Sequence, residues 1–118
     1  MNNRSIGTQK EQIAAEYLDK NGFRIIETNY HFHKMGEIDI IGLDKEYLVF
    51  VEVKYRKTAS AGYAAEAVNY RKIHQICKVA DAYLMTHKFY SNKSIRFDVI
   101  AIDGENINWI KNAFDYAL

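Results

Sequence analysis

The amino-acid sequence predicts one α/β or α+β domain, a central sheet flanked by helices, in the order α-β-β-β-α-β-β. Three observations carry this reading. Residues 47–56, "YLVFVEVKYR", are β-branched and aromatic, with apolar positions on both alternating faces, as a central strand requires. Ile73, Ile76, Cys77, Ala80, Tyr83 and Leu84 form one helical stripe. "IRFDVIAI" and "INWI", separated by "DGEN", read as two strands joined by a tight turn. The 118 residues fit a single domain over 1–118, long enough to bury a core.

Taken in order, "TQKEQIAAEYLDKNG" is helical, with apolar residues at Ile13, Ala14, Tyr17 and Leu18 and Gly22 as the stop. "FRIIETNYHF" is a strand, "EIDIIGL" a second, and "DKE" the turn into the third at Tyr47. "KTASAGY" is small and polar and reads as a mobile loop. Residues 64–87 are helical in pattern, with a break near Asn69.

The composition narrows the function classes. Sixteen basic and fifteen acidic residues give a net charge of +1, so any phosphate-binding surface must come from local clustering. A single cysteine, Cys77, excludes an intrachain disulfide and sits on the apolar stripe, where it reads as core. The opening "MNNRSIGTQKEQ" has no apolar signal core, and no apolar run reaches the ~20 residues a membrane helix needs. The expectation is a cytoplasmic protein with no membrane partner.

Charges stand inside the best strands. Leu48, Phe50, Glu52 and Lys54 share one face of the third strand; Glu37, Asp39 and Ile41 share one face of the second. A short turn makes these strands an antiparallel pair, which sets Asp39 near Glu52. A lone Glu-x-Lys on a strand is ordinarily a solvated face or a cross-strand ion pair worth a few tenths of a kcal/mol. Here the strand looks central, and carboxylates brought together need a cation. Such hard oxygen ligands suit Mg²⁺ or Mn²⁺. Glu11 has two readings. Its offsets to Ala14, Ala15 and Leu18 point it at the sheet, whereas "TQKE" is a capping-box pattern with Thr8 as the cap.

An Asp on one strand followed by Glu-x-Lys on the next resembles the PD-(D/E)XK nuclease superfamily. The segments "EQIAAEYLDKNGFRIIETNY", "GEIDII", "VFVEVKYR", "AVNYRKIHQICKVADAYL" and "RFDVIAI" resemble, in order, the small bacterial YraN-like family. Lys10 stands where that family often has Gly, Thr8 where it often has Arg, and Ile38 where the wider motif has Pro. The resemblance implies a restriction-endonuclease-like core with a mixed sheet, and a metal-dependent nuclease acting on DNA, branched or damaged DNA included. It puts Asp39, Glu52 and Lys54 at the motif positions and matches Glu11 to a helical Glu before the site. It also puts Glu37 and Lys72 at recurrent positions. One or two Mg²⁺ or Mn²⁺ ions would be held by Asp39 and Glu52, with Glu11 and the Val53 carbonyl. Lys54 would be a charge stabiliser or a base. A catalytically silent nucleic-acid- or protein-binding module on the same fold is the competing reading.

Arg56, Lys57, Arg71 and Lys72 are the expected nucleic-acid contacts, with Lys78 further along the helix. Tyr55, Tyr63 and Tyr70 are candidates for base stacking or for ordinary packing. His31 and His33 read as a surface pair, too few ligands for zinc. Trp109, Ile110, Phe114, Tyr116 and Leu118 suggest either a homodimer contact or a tail folded on its own sheet.

Overall fold

A computed structural model describes residues 3–56 and 69–117, with side chains from residue 9 onward. Helix α1 (Asn3–Lys20) leads into strands β1 (Arg24–His31), β2 (Glu37–Asp44) and β3 (Tyr47–Arg56). Helix α2 (Tyr70–Thr86), a 3₁₀ turn (Lys88–Tyr90) and strands β4 (Ser94–Asp103) and β5 (Asn106–Ile110) follow. The order and the mixed sheet agree with the sequence reading. The loop expected at 57–63 and the helical pattern at 64–68 lie outside the described residues. The 3₁₀ turn has no counterpart in the sequence reading.

Helix α1 ends where expected. Gly22 has φ +88, and the amide of Phe23 returns to the Leu18 carbonyl at 3.0 Å. Its start differs. The helix begins at Asn3, so Thr8 lies within it and the Thr8–Glu11 capping box is overturned. "MNNRSIG" carries no apolar stripe, and helical propensity without a stripe leaves no signal to read. Helix α2 starts at the predicted break, where the Asn69 side chain accepts from the Lys72 amide at 3.0 Å.

The five strands lie in the order β1-β2-β3-β4-β5, antiparallel except for β3 with β4. A parallel pair needs a long crossover, and the chain between β3 and β4 supplies it with α2. Strand β3 divides two cores. Leu48 and Phe50 pack with Ile76, Cys77, Ala80 and Tyr83 of α2. Val49 and Val51 pack with Ala14 and Leu18 of α1 and with Phe23. This two-sided burial explains the unbroken apolar run around Glu52.

Beyond the end of α1, a polar network takes over one face. Asp98 is fully buried and accepts from Arg96 Nε and a terminal Arg96 nitrogen, from the Trp109 indole and from the Asn112 amide, each at 2.9 Å. Arg96 also reaches Asp44 at 2.7 Å. Burial alone would push the Asp44 carboxyl up, but hydrogen bonds from Arg96 and Lys111 hold it below the usual range. Removing one member of so buried a set would strand a charge in the core.

Of the C-terminal residues named for a dimer contact or a folded tail, Trp109, Ile110 and Phe114 pack within the chain, and Tyr116 stays half exposed. Trp109 meets Phe23 edge-on at 6.0 Å, and Phe114 stacks on Phe97 at 5.2 Å. The Tyr116 hydroxyl donates to Asp81 at 2.8 Å. Leu118 lies outside the described residues. Among the described residues no helix is long and apolar enough to cross a membrane.

Gly42 on β2 is closely surrounded. A Cβ there would fall on the Phe23 ring and against the Arg24 carbonyl. Gly42→Ala is expected to destabilise the protein by about 2–3 kcal/mol, since backbone cannot yield as a flexible side chain does. Chemical denaturation measures this, and an unchanged midpoint would mean that β1 and β2 are spaced differently.

Candidate metal centre

The β2–β3 ladder runs from Asp44↔Tyr47 to Ile40↔Val51 and stops. Past that point the side chain of Asp39 takes over, its Oδ2 accepting the Val53 amide at 2.8 Å. The strand alternation breaks at the same place. Ile40 packs in the α1 core, but Ile38, two residues away, packs in the α2 core. Strict alternation would have kept these two together. The turn in β2 sets Asp39 in the gap between strands, within reach of both helices.

Four carboxylates meet in that gap. Oxygens of Glu11, Glu37 and Asp39 lie within 4.8 Å of one another. Glu52, two residues past Phe50 on β3, is the neighbour whose side chain and charge act on Asp39. Asp39 and Glu52 are both 7% exposed. Glu11 owes its inward place to the α1 face that buries Ala14 and Leu18. The positive charge beside them is small. Lys72 Nζ stands 3.4 Å from Glu52 Oε2 without hydrogen-bond geometry, so this buried oxygen has a charge partner but no donor. His31 Nε2 lies 2.8 Å from Glu37 and is half of that pair only when protonated.

The imbalance shows in the acidities. Burial, then a side-chain hydrogen bond with Glu52 and the Glu52 charge, push Asp39 from the ordinary 3.8 to about 8; the Val53 amide and Lys72 oppose this. Burial, then the charges of Asp39 and Glu37, push Glu11 from 4.5 to about 7, against a hydrogen bond from Asn29. Without a cation the cluster keeps protons that free carboxylates would lose. A divalent ion offers hard oxygen ligands the charge that Lys72 and His31 do not complete, so the donor set fits Mg²⁺ or Mn²⁺.

The expected residues fall unevenly. Glu11, Asp39 and Glu52 come together, and Glu37 joins them with a carboxylate closer to Glu11 and Asp39 than the ligand set Asp39, Glu52, Glu11 and Val53 allowed. Its i, i+2 spacing from Asp39 is the available signal. Asn29, the partner of Glu11, escapes the sequence reading, because its left-handed backbone at φ 53 has no mark in the sequence. Val53 shows its amide to Asp39. Lys54 lies one step past Glu52 on the same face, half-buried, opposite Ala101 of β4, with no ion pair among the described residues.

Among the expected nucleic-acid contacts, Lys72 turns to Glu52 instead of to solvent. Arg71 is exposed on α2, Arg56 is half-buried at the end of β3, and Lys57 and Tyr63 lie outside the described residues. Tyr55 lies under Lys10, and Tyr70 lies against His74. His31 and His33 are both exposed, as expected; His31 goes to Glu37, and the His33 ring meets Phe32.

The raised acidities fix a pH dependence. In the unfolded chain Asp39 and Glu11 release protons near their ordinary 3.8 and 4.5, whereas the folded chain holds them to about 8 and about 7. The folded state thus binds more protons across that window, and metal-free stability falls as pH rises from about 4 to about 8. Asp39→Asn removes the larger share. Its metal-free Tm is expected to exceed the wild type's by ~5 °C at pH 8, with the gap narrowing towards pH 4. Thermal scans in EDTA measure it, and a variant less stable at pH 8 would make Asp39 a structural ion-pair member.

Comparison with known proteins covers this whole region. The model of uncharacterised protein family UPF0102 matches residues 10–102, which contain all four carboxylates. A UPF0102 protein of Vibrio vulnificus is 48% identical over 113 residues, 93% of this chain and 92% of its own length. One from Fusobacterium nucleatum is 46% identical over 95% of this chain and 92% of its own length. A third, from Lachnoclostridium phytofermentans, is 42% identical over 98% and 97%. With the model matching most of its length and relatives of this likeness on both sides, the chain belongs to the UPF0102 family, the YraN-like proteins.

Proposed function

We propose that the protein is a metal-dependent nuclease that hydrolyses phosphodiester bonds in DNA. The observation that supports it best is the gathering of Glu11, Glu37 and Asp39 beside buried Glu52, with Lys54 two residues further along the same strand face. Buried carboxylates of a purely structural kind find donors, as Asp98 does. These instead sit short of positive charge.

Asp39, Glu52 and Glu11 would hold one or two Mg²⁺ or Mn²⁺ ions, and Glu37 stands close enough to share in the task. Such an ion, when bound, lowers the pKa of its water and neutralises charge on phosphate oxygens. The chain supplies the rest. The Val53 amide fixes the Asp39 carboxylate in place. Lys72 stands 3.4 Å from Glu52 on the α2 side and offers it a positive partner beside Asp39. Lys54, held in no ion pair among the described residues, has its ammonium available to the scissile phosphate, where it offsets developing charge. Among the described residues one such carboxylate group is present, and one group cuts one strand per event.

Purified protein is expected to cleave DNA in Mn²⁺ and to lose the activity in EDTA. Glu52→Gln and Lys54→Ala should each reduce the rate by at least ~100-fold, the scale on which one transition-state interaction acts. A gel assay with a panel of single-stranded, duplex and branched substrates reads this. Cleavage that survives Glu52→Gln would sink the assignment. Tight binding with no cleavage in either metal would favour a silent binding module on the same fold.

A further inference from the structure

Beside the carboxylates, the surface changes sign. A groove of about 790 Å³ runs between the β1–β2 loop and α2. Its walls carry His33 and Lys34 from the loop, and Arg71, His74 and Lys78 from the helix, with no carboxylate among them. In a chain of net charge +1 this is a strong local excess. On α2 the three fall at i, i+3 and i+7, one face, while Lys72 on the adjoining face serves Glu52.

The walls are fixed relative to each other. The loop closes on itself through Phe32 N to the Gly36 carbonyl at 3.2 Å and Met35 N to the Phe32 carbonyl at 3.0 Å. Gly36, at φ +139, leaves the space that the Gln75 side chain of α2 fills. The groove is therefore built before any ligand arrives. Both walls lead to the cluster: Glu37 follows Gly36 directly, and Arg71 precedes Lys72. Aromatic surface is interleaved with the charge. Phe32 lines the groove with the His33 ring against it, and Tyr70, 71% exposed, stands edge-on to His74 at 4.3 Å. Within the groove wall, His74 Nε2 is buried without a hydrogen-bond partner.

We infer that this groove binds the backbone of single-stranded nucleic acid and leads it to the carboxylate cluster. Basic side chains that track phosphates, alternating with rings on which bases stack, are the chemistry of single-strand recognition. An acidic peptide would use the cations and leave the rings idle. A duplex keeps its bases paired and stacked, so the rings beside the cations would find no base face to stack on. The inference deepens the nuclease reading and rests on it for the direction of the strand, but the binding itself is measured without cleavage.

The test uses a fluorescein-labelled 12-nucleotide single strand, the full chain and EDTA, read by fluorescence anisotropy over a salt series. Lys34, Arg71 and Lys78 are all exposed, so Lys34→Ala/Arg71→Ala/Lys78→Ala should keep the wild-type Tm. It is expected to bind at least ~10-fold more weakly. The salt slope should fall by about 2, near 0.7 for each phosphate that the variant no longer neutralises. Lys88→Ala/Lys93→Ala, away from the groove, should bind as wild type does. Equal binding by the triple variant overturns the inference. So does equal competition by polyglutamate, or a duplex of the same length that binds as tightly. A strand bound through the groove but never cut in Mn²⁺ would leave the groove standing and remove the nuclease reading. Cleavage untouched by the triple variant would do the reverse.

Discussion

Where β2 leaves β3, the Val53 amide is without the carbonyl that the ladder would have given it. A buried amide without an acceptor costs about 1–3 kcal/mol, so something must take its place. The Asp39 carboxylate does, at 2.8 Å. That one hydrogen bond couples two things that look separate, the parting of the strands and the position of an acid. Because the strands part, both helices approach the gap: Glu11 comes from α1, and Lys72 comes from α2 to Glu52. The cluster is thus a consequence of how the sheet opens.

A fully buried acid elsewhere in the sheet shows what a purely structural solution looks like. Asp98 is fully buried and receives four donors, a double contact from Arg96 among them. Asp39 is almost as buried and receives one backbone amide, with carboxylates as its other neighbours. The same side chain in the same sheet is saturated in one place and under-supplied in the other. Evenly matched charge stabilises, whereas like charges held together store a demand for protons or cations. The basic groove continues the asymmetry across the surface, with positive charge on one side of Gly36 and negative on the other.

Much of this is legible in the sequence, and the reasons are local. The apolar run 47–56 gives β3 its bounds, and the short turn after Asp44 sets the register that ends at Ile40↔Val51 and leaves Asp39 beside Glu52. Period-two and period-3.6 patterns need only neighbours along the chain. What cannot be read depends on distant partners. Ile38 leaves the face of Ile40 because β2 turns at Asp39. Asn29 reaches Glu11 through a left-handed backbone within β1. Asp98 meets Trp109 and Asn112 only once β5 has folded back on β4. Lys72 reads as a surface cation, since its helix face gives no hint of Glu52 across the gap.

The central claim is that the carboxylates at the parting of β2 and β3 form a cation site. Crystals soaked in Mn²⁺ and measured near the manganese absorption edge test it directly. An anomalous peak in contact with Asp39 and Glu11, and with Glu37 or Glu52 completing the shell, is the predicted result. A map without a peak in the gap, from crystals in which these side chains keep their places and lattice sites elsewhere take up the ion, would contradict it.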